Sequence, residues 1–263
     1  MKKLLIDAGN SSIKWALLDD TQLSVMETIG YDNTSPIDSF IMLLEKQLNN
    51  KPSVHSIVVV SVLGDSFLKA AKKIAAQFAV PLQIVKSQAR LAKISNAYDK
   101  PNNLGADRLV VMIAAFDLGK GVPCIVVDSG TATTIDAVDE NGQHLGGVIL
   151  AGLDLCSQGL LKNTQQLASR FNEEKYDIKP TIFSKDTTQA ILSGSLLGLA
   201  GAIDSICTKM EKEMNKGQTI KKILCGGSAK ELQPHLSLTF SLQDDLIMQG
   251  LKVISTMKTS EIQ

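Results

Sequence analysis

Two short segments carry the residue types that handle phosphate and cations. Asp7-Ala8-Gly9-Asn10-Ser11-Ser12 ends one apolar run, and Asp128-Ser129-Gly130-Thr131-Ala132-Thr133 ends another, 121 positions further on. Each places an acid at the end of a strand-like stretch, a glycine two residues later, and then hydroxyl or amide side chains. Glycine has no Cβ, so the backbone there can come close to a ligand. Turn amides together with Asn10, Ser11, Ser12, Thr131, Thr133 and Thr134 form a nest of donors for phosphate oxygens. Asp7 and Asp128 beside a polyphosphate make sense only with cations between them, so Mg²⁺ or a monovalent ion is implied. Lys14 either reaches phosphate or is a solvated strand residue. No G-x-x-x-x-G-K-[ST] loop occurs, and no G-x-G-x-x-G follows a strand.

A third group is Gly105-Ala106-Asp107-Arg108, which opens a helical stretch. Read alone, Asp107 is a helix cap and Arg108 a surface residue. A fourth is Gly226-Gly227, between a strand and a helix, where bare backbone can receive a flat ring or simply reverse the chain.

These groups need strands and turns to hold them. The first segment continues through Ile13 to Leu18 and closes in Asp19-Asp20; the second continues through Thr134 to Val138 and closes in Asp139-Glu140-Asn141-Gly142. Two hairpins of one design in the two halves of the chain indicate an internal duplication. Helical periodicity appears over 37–48, 67–78, 107–118, 152–170, 187–214 and 244–257, and strand-like runs over 57–60, 82–85, 124–128, 132–138, 144–150 and 220–225. The stretch Gly119-Lys120-Gly121-Val122-Pro123 is the natural boundary, dividing residues 1–119 from 120–263. The expected architecture is α/β: a duplicated actin-like (ribonuclease H-like) fold, two mixed-sheet halves whose Asp-Gly hairpins face a central cleft.

Composition bounds the partners. Among 263 residues, 44% are hydrophobic and 21% charged, as in a globular chain. Lys plus Arg and Asp plus Glu both number 27, so no global charge draws the chain to nucleic acid or to an anionic membrane. No uninterrupted apolar run approaches the ~18 residues of a spanning helix, and the start, Met1 to Asp7, meets an acid too early for a signal peptide. A cytoplasmic protein is expected. Cys124, Cys156, Cys207 and Cys225 show no C-x-x-C pair, and His55, His144 and His235 are scattered. No zinc site is expected.

Five motifs in order make the chain resemble type III pantothenate kinases. They are D-x-G-N-[ST] at Asp7–Ser11, G-x-D-R at Gly105–Arg108, D-x-G-T-A-T-T at Asp128–Thr134, G-G-x-I at Gly146–Ile149 and T-x-x-A-I-x-S-G at Thr187–Gly194. The resemblance runs from Asp7 to about Gly227. It implies phosphorylation of the primary hydroxyl of pantothenate by ATP with Mg²⁺, the first step toward coenzyme A. Asp7, Ala8, Gly9, Asn10, Ser11, Ser12, Ile13, Lys14 and Thr131 would bind ATP. Tyr98, Gly105, Ala106, Asp107 and Arg108 would hold pantothenate, with Asp107 as general base. Asp128 would bind an activating K⁺ or NH₄⁺, and Thr187 would reach pantothenate in the neighbouring subunit of a homodimer.

Gly194, Gly198 and Gly201 lie on one side of the helix over 187–214, as a dimer seam or as a site of close packing within the chain. The chain departs from the family pattern at Ala151, where proline is usual, at Ala168 and at Asp186. Two other readings follow from the residues: a non-catalytic regulatory relative, or a small kinase of the same superfamily with another substrate.

Overall fold

The computed structural model describes residues 1–31, 34–49, 54–171, 179–214 and 217–257. The strands are β1 (Lys2–Ala8), β2 (Ser12–Asp19), β3 (Gln22–Leu23), β4 (Glu27–Gly30), β5 (Val54–Ser61), β6 (Leu82–Val85), β7 (Arg90–Leu91), β8 (Ile94–Ser95), β9 (Cys124–Ser129), β10 (Ala132–Val138), β11 (His144–Ala151), β12 (Lys221–Cys225) and β13 (Ser241–Leu242). The helices are α1 (Pro36–Leu44), α2 (Gly64–Gln77), α3 (Ala106–Leu118), α4 (Leu153–Asn163), α5 (Gln165–Ala168), α6 (Thr187–Met214), α7 (Ala229–Leu232) and α8 (Leu246–Ser255).

By contact the chain forms two compact units. The first comprises 1–118, 142–144 and 245–263, the second 119–141 and 145–244. In the first, the sheet order is β3-β2-β1-β5-β6, with β4 also pairing to β2. β1 runs antiparallel to β2 and parallel to β5, and β5 runs parallel to β6. β1 and β5 are buried along most of their length and read as continuous apolar runs, as strands covered on both faces do. Alternate residues Leu4, Ile6, Ile57 and Val59 pack with Phe40 of α1 and Phe67, Ala71 and Ile74 of α2. α3 and α8 pack on each other and against β1 and β5. α3 is buried from Arg108 to Phe116, so its only exposed carboxylates are near its ends. Division of the chain at 119–120 assigned the last helix to the second half. The structure corrects this: α8 returns to the first unit, because its apolar face (Leu246, Ile247, Leu251, Ile254) finds cover there.

The second unit has the order β11-β10-β9-β12-β13, with β9 antiparallel to β10 and parallel to β12. Ile125, Val127, Ile135, Ala137 and Leu224 form a core with Leu196, Leu199, Ala200, Ile203 and Cys207 of α6. α6 is long and apolar enough to cross a membrane, yet 44% of its most apolar window is buried inside the unit. Cys124, Cys207 and Cys225 are buried and form no disulfide among the described residues. Burial pushes the Cys124 and Cys207 thiols up to about 12, so they act as small apolar groups.

Candidate functional site

The first hairpin pairs Asp7 with Lys14 and Ala8 with Ile13, leaving residues 9–12 as the turn. Directly opposed residues lie on the same face of the sheet, so Lys14 stands beside Asp7. Ile13 and Trp15 take the other face and enter the core. Asp7 is buried, Asn10 and Ser11 are exposed, and Ala8 and Ile13 are wholly covered; these last two can meet a ligand only through backbone. Inside the turn, the Gly9 N–H donates to the Ser12 carbonyl at 3.0 Å. From outside, the Ser61 hydroxyl and the Val62 N–H each donate to the Ala8 carbonyl at 3.2 Å.

Sequence reasoning missed Tyr31. Its hydroxyl donates to the Gly9 carbonyl at 3.0 Å and its N–H to the Ser11 carbonyl at 3.3 Å. Burial, and after it the charge of Asp7, pushes the Tyr31 hydroxyl up to about 12. No spacing pattern marks such a residue, because both bonds go to backbone.

The second hairpin has the same design with one residue fewer. Asp128 pairs with Thr134 and Ser129 with Thr133, and the Gly130 N–H donates to the Ala132 carbonyl at 3.0 Å. The 121-residue offset thus holds for the acids and glycines but not across the turn. Thr134, not a lysine, faces Asp128. Thr131 is exposed, and its carbonyl accepts from the Gly152 N–H at 3.1 Å. The Gly226-Gly227 turn lies against the same strand end. Gly226 has φ +97°, and a Cβ there would stand 2.6 Å from Asp128 Oδ1 and 2.4 Å from the Ser129 carbonyl, so only glycine fits. Asp128, Thr131 and the glycine turn therefore meet within the second unit.

The third group assembles in the first unit. The Asn96 Oδ1 accepts from the Tyr98 N–H at 3.0 Å, while its Nδ2 donates to the Pro101 carbonyl at 3.0 Å. This Asx turn presents Tyr98. Arg108, only 4% exposed, donates through Nη1 to the Tyr98 hydroxyl at 3.0 Å and stands 5.8 Å from its ring centroid. The Tyr98 ring also stacks on buried His144 at 6.1 Å and 17°, a second residue the sequence did not disclose. Asp107 is half-buried in the first turn of α3, where its Oδ1 accepts from the Arg108 N–H at 2.8 Å. A Cβ on residue 105 would sit 2.5 Å from that oxygen, so Gly105 makes room for the carboxylate. A hollow of about 430 Å³ opens at Ala97, Tyr98, Asp99, Lys100 and Asn103. A larger cavity of about 560 Å³, between the β7–β8 hairpin, α3 and α8, contains none of the expected site residues. Thr187 begins α6 in the second unit. Among the described residues no three His, Cys, Asp or Glu side chains gather as a metal centre.

Residues 3–209 match the family model described as type III pantothenate kinase. The chain belongs to the type III pantothenate kinase family. Two relatives of that name bear this out. One from Nitrosospira multiformis is 30% identical over 258 residues, covering 98% of this chain and 92% of the relative. Another from Janthinobacterium sp. (strain Marseille) is 32% identical over 262 residues, covering 96% of both. Among solved structures, the ethanolamine utilization protein EutJ from Carboxydothermus hydrogenoformans matches with TM-score 0.55 at 13% identity, over 97% of this chain and 90% of that one. At such identity the likeness concerns fold alone. With two mixed sheets, each built on an Asp-Gly hairpin, it shows the duplicated actin-like α/β fold.

Two departures from the pantothenate kinase pattern have a local account. The Asp186 carboxylate accepts from the Gln189 N–H at 3.0 Å and caps α6, which aspartate does as well as asparagine. Ala151 ends β11 in an exposed position, and its carbonyl accepts from the Cys156 thiol at 3.7 Å.

Proposed function

We infer that this type III pantothenate kinase transfers the γ-phosphoryl group of ATP to the primary hydroxyl of pantothenate, with the chemistry divided among the three groups above. The family match carries the reaction. The residue roles rest on one observation: the 3.0 Å bond from Arg108 to Tyr98. It joins the two segments assigned to pantothenate and does so one residue from Asp107. The hydroxyl proton passes to the Asp107 carboxylate as the new O–P bond forms and the bond from the γ-phosphorus to the bridging oxygen breaks, releasing ADP. General-base assistance of this kind contributes on the order of 10²–10⁴ in rate. Asp107 must then exchange the Arg108 N–H for the substrate hydroxyl, which the half-open helix start allows.

The Gly9–Ser12 turn and Lys14 bind the ATP phosphates. Mg²⁺ typically keeps several waters and binds through one or two carboxylates plus substrate phosphates, which fits single acids at strand ends rather than a three-ligand cluster. When bound, it neutralises charge on the transferring group. Asp128 holds the activating K⁺ or NH₄⁺.

The enzyme acts as a homodimer in which Thr187 of one copy meets pantothenate in the other. Support comes from the second unit, where Leu145, Ile149, Leu155, Leu160, Ile182 and Phe183 are exposed. Gly194, Gly198 and Gly201 form a bare face of α6, with no atom within 4 Å of where a Cβ would stand among the described residues.

The deciding experiment is ADP release with pantothenate, Mg-ATP and K⁺, NH₄⁺ or Na⁺, for wild type and Asp107→Asn. Turnover that requires pantothenate and falls at least ~100-fold in the variant establishes reaction and base. A wild type that binds ATP but is silent with pantothenate refutes the reading.

A further inference from the structure

Tyr31 directly follows β4 and meets the first hairpin turn twice, by its N–H at the Ser11 carbonyl and by its hydroxyl at the Gly9 carbonyl. The turn itself contributes the bond from the Gly9 N–H to the Ser12 carbonyl. A peptide unit is planar and trans, so its C=O and N–H point in opposite directions. Holding the Gly9 carbonyl toward Tyr31 therefore aims the Asn10 N–H away from Tyr31, in a turn whose Asn10 and Ser11 are exposed. The bond to the Ser11 carbonyl fixes the next but one peptide in the same way. Gly9 is the residue with the widest choice of backbone angles in this turn, so it is where an external restraint has most effect.

We propose that Tyr31 is a positioning residue for the nucleotide: its hydroxyl locks the Gly9–Asn10 peptide so that the turn presents its amides to phosphate before ATP arrives. This rests on reading the first hairpin as the ATP-phosphate site. Two features support it. The ring is half-buried and packs against the core of the first unit, which includes Ile13 and Trp15 of the same hairpin, so the hydroxyl has a rigid support. With its hydroxyl pushed up to about 12 by burial and by Asp7, Tyr31 remains protonated and a donor throughout the neutral and mildly alkaline range. Its charge never changes there, so it acts through the turn rather than on the reacting atoms.

The test is Tyr31→Phe, which keeps the ring and deletes the one bond. The expected result is a rise of about 3- to 10-fold in KM and Kd for Mg-ATP, the size of one ordinary hydrogen bond. KM for pantothenate and the thermal midpoint should change little. Tyr31→Leu, which also loses the ring, should add a loss of stability. The double variant Asn10→Ala/Lys14→Ala separates this proposal from the reading beneath it. If the double variant weakens ATP binding and Tyr31→Phe leaves it unchanged within twofold, the proposal is overturned and the hairpin assignment stands. If neither changes it, both fall. If Tyr31→Phe lowers only the thermal midpoint, the hydroxyl is structural and the proposal is overturned.

Discussion

Replacing Tyr98 with phenylalanine isolates one bond at the proposed pantothenate pocket. Phenylalanine keeps the stack on His144 and the approach of the guanidinium to the ring, and loses the 3.0 Å bond from Arg108. A hydrogen bond to a charged group contributes ~1.5–3 kcal/mol. Tyr98 is only half-buried, so water replaces part of the lost partner and the lower end applies. At ~1.4 kcal/mol per factor of ten, KM for pantothenate should rise about tenfold. Because the bond is present before and during transfer, it is uniform binding, and kcat should hold within about threefold. Initial rates at saturating Mg-ATP with pantothenate varied give both constants. An unchanged KM with a fall of a few degrees in thermal midpoint would show that the Arg108–Tyr98 pair only braces the fold. A rise in KM for ATP instead would place these residues at the wrong substrate.

Two other expectations follow from the same structure. Gly198→Glu should convert a dimer to monomers in light scattering after size exclusion; glutamate is the better helix former by ~0.5–1 kcal/mol, so monomers that remain folded would show loss of a seam rather than of a helix. The Cys124 and Cys207 thiols, raised in the folded chain from 9.0 to about 12, keep protons that the unfolded chain releases, so stability present below pH ~9 is lost as pH rises toward 12. Thermal midpoints measured from pH 8 to 11 should fall more steeply for wild type than for Cys124→Ala/Cys207→Ala, and equal slopes would refute the attribution.

How much of this was legible in the sequence depended on whether a residue acts through its side-chain pattern or through backbone. β1, β5 and β9 are apolar runs with an acid or hydroxyl at the end, and α1, α2 and α6 bury one stripe each; both leave a periodic trace. β3, β4 and the β7–β8 hairpin have two to four residues apiece, too few for any period to emerge. The long helix expected over 152–170 breaks at Thr164 into α4 and α5, where a β-branched residue adopts an extended conformation. The place of α8 depends on contacts with α3 and β1 far away along the chain, which no local pattern reports. Tyr31 and Asn96 work by bonds to carbonyls and amides of their neighbours, and His144 by a ring face. The motifs marked the turns and the helix start, and passed over the residues that hold them still.

The unequal turns of the two hairpins give the duplication its chemical sense. With four residues in the first turn, the position opposite the strand-end acid falls to Lys14; with three in the second, it falls to Thr134. Lys14 on the same face as Asp7 brings a positive charge beside the acid, which offsets part of its repulsion for a polyphosphate at the proposed site. Asp128 faces a neutral hydroxyl instead, and the Gly226 turn packs bare backbone against that carboxylate. Opposed charges on one strand pair contribute at most ~1 kcal/mol to the sheet, so Lys14 adds little to stability, in keeping with its proposed role at the phosphates. Turn length alone does not make the difference: a one-residue shift moves every side chain of the partner strand to the other face, and with one more residue in the second turn Ile135, not a lysine, would face Asp128. The proposed division of labour, phosphate at Asp7–Lys14 and a monovalent cation at Asp128, then rests on which residue each strand places opposite its acid.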